Sequence, residues 1–163
     1  MRVMTYNILR GGLPIPNGGK DRLEKILCVI QKYKPDVLAI QEANRFDDQK
    51  IDLRLANLLG LPYFSVLKAP PFDDGQQYNI VTFSRYRILT TERFSSGFET
   101  GALIINLADT PLGMVSICNV HLDSHDEDKR LSEIEAVLSY DQKFPQQIVM
   151  GTFNSISHLD HYP

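Results

Sequence analysis

The chain has 163 residues, of which 43% are hydrophobic and 23% are charged, and its formal net charge is −3. This composition is that of an ordinary globular domain and excludes collagen-like, low-complexity and wholly disordered chains. The acidic balance disfavours a strongly basic nucleic-acid binder. No apolar run reaches the roughly 18 residues that a membrane span needs, so we expect no membrane span. The first residues turn polar too early for a secretory signal.

The two cysteines, Cys28 and Cys118, stand far apart in the sequence and form no CxxC pair. A disulfide framework and a zinc site built from cysteines are therefore excluded, and a reducing, cytoplasmic compartment fits best. Because both cysteines lie in apolar runs, we expect both to be buried and unreactive.

The first part of the chain predicts a strand, a helix and a second strand. A strand over Arg2–Ile8 is followed by a glycine- and proline-rich loop over Arg10–Gly19. Asp21 and Glu24 then form the pattern of a capping box, and the apolar residues after them repeat at helical spacing until Lys34-Pro35. Val37–Ile40 is a short apolar run, typical of a buried strand. Such a strand–helix–strand unit predicts a right-handed crossover between two neighbouring parallel strands.

The rest of the chain predicts two more helices among many strands. The expected elements are a helix at Gln49–Leu59, strands at Tyr63–Lys68, Ile80–Ser84, Ile88–Arg93, Ala102–Leu107 and Met114–Val120, a helix at Asp126–Tyr140, and a strand at Gln147–Met150. The segment Asp109–Gly113 predicts a hairpin turn. The last helix carries Leu131, Ile134 and Leu138, which we expect on one inward face. The pattern predicts a single α/β domain over residues 1–163, with mixed sheets and helices outside.

Polar residues follow four of the predicted strands at their ends. Asn7 ends the first strand, Glu42 follows the second, His121 follows a later strand, and Thr152 and Asn154 follow the last. Because ligand sites in sheets with parallel strands gather at the carboxyl ends of those strands, we expect these side chains to converge.

The chemistry of this set points to a metal and a phosphate. Mg²⁺ takes one or two carboxylates with neutral oxygens and keeps several waters, and Glu42 and Asn7 offer such a pair. His121 and Asn154 are donors suited to phosphate oxygens that gain negative charge. Each residue alone has a simpler interpretation: a turn-forming asparagine, a solvated glutamate and a structural histidine. Their repetition at four strand ends favours the functional interpretation.

Five motifs occur in an order that resembles the endonuclease/exonuclease/phosphatase superfamily. They are Thr5-Tyr6-Asn7-Ile8, Ile40-Gln41-Glu42, Asn79-Ile80-Val81-Thr82-Phe83-Ser84-Arg85, Asn119-Val120-His121-Leu122 and Gly151-Thr152-Phe153-Asn154. The superfamily includes deoxyribonucleases, abasic-site endonucleases, inositol polyphosphate phosphatases and sphingomyelinases. The resemblance implies a four-layer α-β-β-α sandwich, in which two mixed sheets pack face to face with helices outside.

The resemblance also implies roles for the matching residues. Asn7 and Glu42 would hold the divalent metal, Mg²⁺ or Mn²⁺. His121 matches the histidine that contacts the scissile phosphate or assists proton transfer, and Asn154 matches the asparagine that steadies the phosphate. Arg85 matches a recurrent arginine, for which a phosphate contact and a structural ion pair are both open.

The residues after His121 and the end of the chain carry further expectations. Asp123 and Ser124 follow the histidine in a loop that faces the site, and we expect Asp123 to be solvated. His158 and His161 come too soon after Asn154 to match the family's final histidine, so we expect both in a loop.

Two departures from the family pattern bear on activity. Thr152 stands where the family has an aspartate, and a threonine hydroxyl cannot act as a base near neutral pH. Losing such help removes roughly 10²–10⁴ in rate. The family's final strands and its last histidine motif have no counterpart here, so we expect a sandwich that is incomplete at its C-terminus. Its exposed sheet edge would favour self-association.

Three functional hypotheses follow. The first is a divalent-metal-dependent phosphoesterase acting on a phosphodiester or phosphomonoester, in a small molecule or a nucleic acid, with weak or no turnover in this form. The alternative is a catalytically inactive module, or a fragment, that binds metal or phosphate. The third is an unrelated nucleotide binder that uses the Gly11-Gly12 and Gly18-Gly19 loop, whose spacing matches neither a Walker nor a GxGxxG motif.

Overall fold

A computed structural model describes residues 1–14, 19–46, 49–73, 75–140 and 145–155. Its strands are β1 (Val3–Asn7), β2 (Val37–Gln41), β3 (Tyr63–Leu67), β4 (Ile80–Ser84), β5 (Ile88–Phe94), β6 (Gly101–Thr110), β7 (Gly113–His121) and β8 (Gln146–Thr152). Its helices are α1 (Leu23–Tyr33), α2 (Gln49–Leu59) and α3 (Glu127–Leu138), and a 3₁₀ turn spans Arg10–Gly12. The predicted strands and helices are all present, with ends that differ by at most three residues.

The strands form two four-stranded mixed sheets. The first sheet has the order β1-β2-β4-β3 and the second the order β5-β6-β7-β8. β1 and β2 run parallel, as the strand–helix–strand pattern predicts, and so do β7 and β8. The remaining neighbours are antiparallel. The parallel pairs matter most for function, because their carboxyl ends carry the polar residues.

Alternation along the strands divides the core into layers. In β2, Leu38 and Ile40 pack with α1 and α2, whereas Val37 and Ala39 pack between the two sheets. In β6, Leu103 and Ile105 face the first sheet, while Ala102 and Ile104 face α3. Successive side chains of a strand point to opposite faces, so each central strand contacts a helix layer and the other sheet. The predicted four-layer α-β-β-α sandwich is confirmed.

Helix α1 ends where the sequence indicates, but its N-cap is Arg22 without a side-chain hydrogen bond, so the predicted capping box of Asp21 and Glu24 does not form. The Asp21 carboxylate accepts the N–H of Leu23 at 2.9 Å, and Lys34 ends the helix in a left-handed conformation with φ of 47°. Ile26 and Ile30 lie buried against the first sheet. Cys28, in contrast, is exposed, so the expectation that both cysteines are buried is wrong for this one. The apolar run around it covers more than the inward face of α1.

Helix α3 is rotated relative to the predicted inward face. Leu131 and Leu138 are 50% and 60% exposed, and the buried residues of the helix are Glu133 and Val137. Ile134 packs against the second sheet as expected. The apolar spacing was misleading because a carboxylate takes one inward position of the helix, supported by hydrogen bonds from other segments.

The hairpin turn between β6 and β7 is present, and Thr110 Oγ1 donates to the Gly113 carbonyl at 2.6 Å.

Among the helices in the described ranges, none has both the length and the apolar character needed to cross a bilayer.

Candidate active site

The carboxyl ends of β1, β2, β7 and β8 meet at one end of the sandwich. The side-chain amide of Asn7, the last residue of β1, donates to the Thr152 hydroxyl at the end of β8 over 3.1 Å. In the second sheet, His121 and Thr152 are neighbours in the register of β7 and β8. The fold therefore brings together polar side chains that are up to 145 positions apart in the sequence.

Glu42 lies at the centre of this group, one residue beyond β2. Its Oε1 accepts the side-chain N–H of Asn7 at 3.1 Å, and its Oε2 accepts the backbone N–H of Arg10 at 2.9 Å. Its own carbonyl accepts the N–H of Gly11 at 2.6 Å. The loop after β1 thus wraps around Glu42 and holds its carboxylate beside the Asn7 amide. This accounts for Gly11 and Gly12 without a nucleotide-binding loop, although Gly18 lies outside the described residues.

A buried network of amides and hydroxyls lies beneath this carboxylate. Gln41 donates to Asn119 Oδ1 at 2.7 Å, and Asn119 donates to the carbonyl of Val81 at 3.1 Å and to Thr82 Oγ1 at 3.2 Å. Thr152 donates to Gln41 Oε1 at 3.4 Å. The network joins the two sheets directly under the site and fixes the strand ends relative to each other.

His121, the last residue of β7 in the second sheet, completes the group of polar side chains. It is 7% exposed, and its buried Nδ1 has no hydrogen-bond partner among the described residues. Burial lowers the pKa of His121, while the negative charges of Glu42 and Glu99 act in the opposite direction. The imidazole is therefore neutral at neutral pH, a form that both donates and accepts a hydrogen bond.

A cleft of about 440 Å³ opens over these residues. Its lining combines acidic, basic, hydroxyl and aromatic groups: Leu9, Arg10, Glu42, Phe72, Tyr78, Glu99, Thr100, His121, Ser124 and His125. The rings of Phe72 and Tyr78 meet edge to face with centroids 5.0 Å apart. The predicted metal-binding carboxylate and the predicted phosphate-contacting histidine thus face one concave surface. A larger groove between α1 and α2 contains none of the predicted site residues.

Side-chain hydrogen bonds hold the loop after β7, which the sequence does not predict. Asp123 is 3% exposed, so the expectation that it is solvated is wrong. Its Oδ1 accepts the N–H groups of His125 and Asp126, each at 2.8 Å. Burial acts to raise the pKa of Asp123, but these bonds and the nearby Lys129 and His125 charges hold it below its ordinary range. Asp123 therefore shapes the loop, and Ser124 alone of the two lines the cleft.

Asn154 lies beside the same loop. Its side-chain amide donates to the carbonyl of Leu122, the residue after His121, at 2.7 Å. Its backbone φ is 52°, a left-handed conformation that is uncommon for residues other than glycine. The structure brings Asn154 next to the His121 segment, but the amide nitrogen already has a main-chain partner.

Strained backbone is concentrated near these strand ends. Of the six described residues other than glycine that have positive φ, four lie in or beside the site: Leu9, Arg10, Glu42 and Asn154. Each such conformation costs about 1–3 kcal/mol and persists only where the surrounding contacts enforce it. Strained residues of this kind cluster at functional sites. The local sequence around these four residues does not predict their strain.

Arg85 is not brought to this site. It follows β4, which runs antiparallel to β2, so it lies at the opposite end of the sandwich from Glu42. Its guanidinium contacts the Asp36 carboxylate at 3.0 Å, and its backbone N–H donates to the Asp36 carbonyl. Of the two alternatives for Arg85, the structure contains the ion pair. His158 and His161 lie outside the described residues.

Sequence reasoning did not identify two acidic residues that shape the cleft. Glu99 precedes β6 and lines the cleft, and Glu133 is buried on α3. Neither belongs to a strand end or to a motif, so the pattern that predicted the other site residues carries no signal for them. Only the three-dimensional placement of the loops reveals them.

The architecture and this polar cleft define a class, the α-β-β-α sandwich proteins that carry a site at the carboxyl ends of their parallel strands. A family model for the endonuclease/exonuclease/phosphatase family matches residues 4–162, and the chain belongs to this family. The resemblance seen in the five motifs is confirmed. Nucleases and phosphatases of this family are hydrolases of phosphoester bonds.

Solved structures with the same fold include three that are informative. An endonuclease/exonuclease/phosphatase protein from Beutenbergia cavernae DSM 12333 is 21% identical, with a TM-score of 0.70, and the match covers 94% of this chain and 47% of that one. ANGEL2, a 2′,3′-cyclic phosphatase in complex with adenosine-2′,3′-vanadate, is 19% identical, with a TM-score of 0.69 and coverage of 96% and 54%. The 3′ phosphatase NExo from Neisseria, bound to a product DNA hairpin, is 12% identical, with a TM-score of 0.58 and coverage of 94% and 58%.

At these identities the likeness establishes the fold alone. The chain spans about half the length of the Beutenbergia and ANGEL2 structures. A comparison with curated protein sequences gives no match.

Proposed function

We propose that this chain carries the metal- and phosphate-binding part of a divalent-metal-dependent phosphoesterase site. The observation that carries the proposal is the Glu42 carboxylate, which accepts the Asn7 amide N–H at 3.1 Å and lines one cleft with His121. Members of this family typically use a divalent metal and act on phosphoester bonds. The structural relatives named above act on a cyclic phosphate and on a 3′ phosphate of DNA, which supports a phosphate-ester substrate, either small or nucleic.

The residues at the strand ends fit a hard cation such as Mg²⁺ or Mn²⁺. Mg²⁺ is bound by one or two carboxylates with neutral oxygens and keeps several waters, so it does not need a dense cage. Glu42 would supply the carboxylate. Asn7 would supply its amide oxygen, which here accepts the N–H of Leu9 at 3.0 Å while the amide nitrogen faces Glu42, so the amide would have to rotate to bind the metal. The described residues hold no cluster of three or more His, Cys, Asp or Glu side chains suited to a metal. When bound, the metal supplies charge to balance a phosphate.

The chain's own residues would orient the ester. His121, neutral because burial lowers its pKa, donates to or accepts from a phosphate oxygen without adding a charge. Asn154 would steady the phosphate only after its amide leaves the carbonyl of Leu122. Preorganised donors of this kind stabilise negative charge as it builds in the transition state.

Thr152 sets the expected level of activity. Its hydroxyl accepts from Asn7 and donates to Gln41, so it acts as a neutral hydrogen-bonding link. It cannot deprotonate an attacking water near neutral pH. We therefore expect turnover lower by roughly 10²–10⁴ than that of an enzyme with a base at this position.

Thr152 also favours the second candidate function, a module that binds metal or phosphate without turnover. The two candidates share Glu42 and Asn7 and differ only in whether the bound ester is hydrolysed.

Self-association through an open sheet edge and a reducing, cytoplasmic compartment stay predictions.

Hydrolysis of bis(p-nitrophenyl) phosphate with Mg²⁺ or Mn²⁺ tests the proposal, together with calorimetric titration of Mn²⁺. The variants are Glu42→Gln and, as a matched control, Glu24→Gln on the exposed side of α1. Metal-dependent turnover that falls by about 100-fold in Glu42→Gln but not in the control supports the phosphoesterase. Mn²⁺ binding that is lost in Glu42→Gln without any turnover supports the binding module. If neither the wild type nor the control binds Mn²⁺ or turns over, both candidates are wrong.

A further inference from the structure

One buried carboxylate belongs to neither the metal site nor the inter-sheet network. Glu133, in the second turn of α3, is 2% exposed. It accepts the backbone N–H of Glu99 at 2.8 Å through Oε1 and the backbone N–H of Asp123 at 2.7 Å through Oε2. One side chain thus joins the main chain of two segments that are 24 positions apart.

Both segments form the same wall of the cleft. Glu99 lies just before β6, and its carboxylate accepts the N–H of Ser124 at 2.7 Å and the Ser124 hydroxyl at 3.2 Å. Glu99, Ser124 and His121 all line the cleft. Two carboxylates therefore fix the main chain after His121. Glu133 accepts the N–H of Asp123, and Glu99 accepts the N–H of Ser124.

Helix α3 anchors this segment at more than one point. Besides the bond from Asp123 to Glu133, Arg130 donates to the Asp123 carbonyl at 3.0 Å, and Lys129 lies 3.7 Å from the Asp123 carboxylate. The main chain two residues after His121 is thus held by its N–H and its carbonyl, both from α3.

A carboxylate is an unfavourable choice for filling space at this position. Burial raises the pKa of Glu133, and the nearby Asp123 and Glu99 carboxylates act in the same direction, while the two N–H bonds act against them. An apolar side chain would fill the volume without the cost of burying a charge. What only a carboxylate offers is two oxygens that accept from two amides in different directions, and such charge-assisted bonds are stronger than neutral ones.

We propose that Glu133 is a positioning residue for the cleft: it fixes Glu99 and the segment from His121 to Ser124 against each other. The importance of this geometry for catalysis rests on the proposed phosphoesterase function, whereas the fixation itself does not. Glu133 touches no substrate in this arrangement and acts through the residues that it holds.

Amide hydrogen exchange by NMR in Glu133→Gln tests the fixation without any need for activity. The amide side chain has the same shape but only one acceptor oxygen, so it can hold only one of the two N–H groups. We expect exchange at Glu99 or Asp123 to rise at least tenfold, and the ring resonances of His121 to shift. Exchange within the second sheet, at Ile104 and Ile117, should stay unchanged. Glu135→Gln, on the exposed face of α3, is the matched control and should change neither.

Steady-state kinetics then separates a positioning role from a structural one. We expect kcat of Glu133→Gln to fall about tenfold with KM changed by less than threefold, because misplaced groups weaken transition-state contacts. The proposal is overturned if exchange at both amides is unchanged, or if exchange rises equally at Ile104 and Ile117. It is also overturned if kcat per folded molecule is unchanged. A wild-type chain without turnover refutes the phosphoesterase candidate, and the exchange result then decides on Glu133 by itself.

Discussion

The Asn7 side-chain amide lies 3.1 Å from both the Glu42 carboxylate and the Thr152 hydroxyl, and so it links the two sheets beside Glu42. The motif resemblance matches this hydroxyl to the position where the family has an aspartate. A carboxylate in its place would lie next to Glu42, with only the neutral amide of Asn7 between them. Two carboxylates this close repel each other unless a cation or a proton intervenes. We therefore expect the identity of residue 152 to set both the charge of the proposed site and its demand for a metal.

We predict that Thr152→Asp makes folding stability depend on Mg²⁺. Without metal at pH 7, the added charge should lower the free energy of unfolding by about 1 kcal/mol, which is the effect of a like charge at short range near a protein surface. With Mg²⁺, binding to the folded state should restore this loss, since a ligand that binds only the folded state stabilises it. Thermal unfolding with Mg²⁺ and with EDTA measures both effects.

Thr152→Asn is the control for this substitution, because it has the same shape without the charge. It should show no greater response to Mg²⁺ than the wild type. An equal response of the aspartate and asparagine variants would contradict the assignment of this corner as a cation site. In the aspartate variant, hydrolysis of bis(p-nitrophenyl) phosphate should rise by roughly 10²-fold if the rest of the catalytic machinery is present.

We predict that His121 makes the protein less stable as the pH falls below its ordinary pKa. Burial lowers the pKa of His121 in the folded state, whereas the unfolded chain has the ordinary value of 6.5. Below pH 6.5 the unfolded state takes up a proton that the folded state resists. Stability should therefore fall from pH 6.5 down to the lowered pKa and then level off with respect to this group.

Urea denaturation between pH 5 and 8, in EDTA, measures this dependence. His121→Gln should flatten the curve over that window. A wild-type curve with the same slope as that of His121→Gln would show that the imidazole is not held in its neutral form.

We predict that Gly151→Ala is severely destabilising. Gly151 has a φ of +148°, and a Cβ there would lie 2.0 Å from the carbonyl oxygen of Val120 in β7. The clash is with backbone, so relief requires separating β7 from β8 next to His121 and Thr152. We expect a loss of at least about 2 kcal/mol, in the range of substitutions that force backbone strain.

Gly60→Ala is the matched control, because Gly60 also has a positive φ, +67°, but nothing lies within 4 Å of the position of its Cβ. It should cost only the conformational penalty of roughly 1–2 kcal/mol. Urea denaturation of both variants gives the comparison, and a smaller loss for Gly151→Ala than for Gly60→Ala would contradict the close approach of Val120.

We predict that the two thiols react at very different rates in the folded protein. Burial raises the pKa of Cys118 to about 12, whereas Cys28 is exposed on α1. Because the thiolate is the reactive form, a disulfide reagent at pH 8 should modify one thiol rapidly and the second only after unfolding. The rapid phase should disappear in Cys28→Ser. Two rapid phases in the wild type would mean that β7 is accessible to the reagent.

The sequence predicted the fold well wherever local periodicity and strand ends carry the information. The parallel pairing of β1 and β2 follows from the spacing of a strand, an amphipathic helix and a second strand, and the structure contains it. The convergence of Asn7, Glu42 and His121 follows from their places at strand ends. Both features follow from general rules: side chains alternate between the two faces of a strand, and ligand sites gather at the carboxyl ends of parallel strands.

The errors arise where a residue's surroundings come from distant segments. Asp123 is buried because its own loop folds back onto its carboxylate, and Glu133 is buried because two loops donate to it. Hydrophobic spacing assigns acidic residues to the surface, so it placed Leu131 and Leu138 inside instead. No window of sequence around α3 contains Glu99, and so no local pattern could have revealed the partner of Glu133.

The amide network under the cleft also has a consequence for how the two sheets find their packing during folding. Apolar faces slide over one another at little cost, since burial is not directional. Gln41, Asn119 and Thr82 are each at most 1% exposed, and they find their partners in only one lateral placement of the sheets. Any displaced packing leaves buried amides unpaired, at about 1–3 kcal/mol each. These three side chains therefore select one alignment of the sandwich among several that the hydrophobic residues alone would accept.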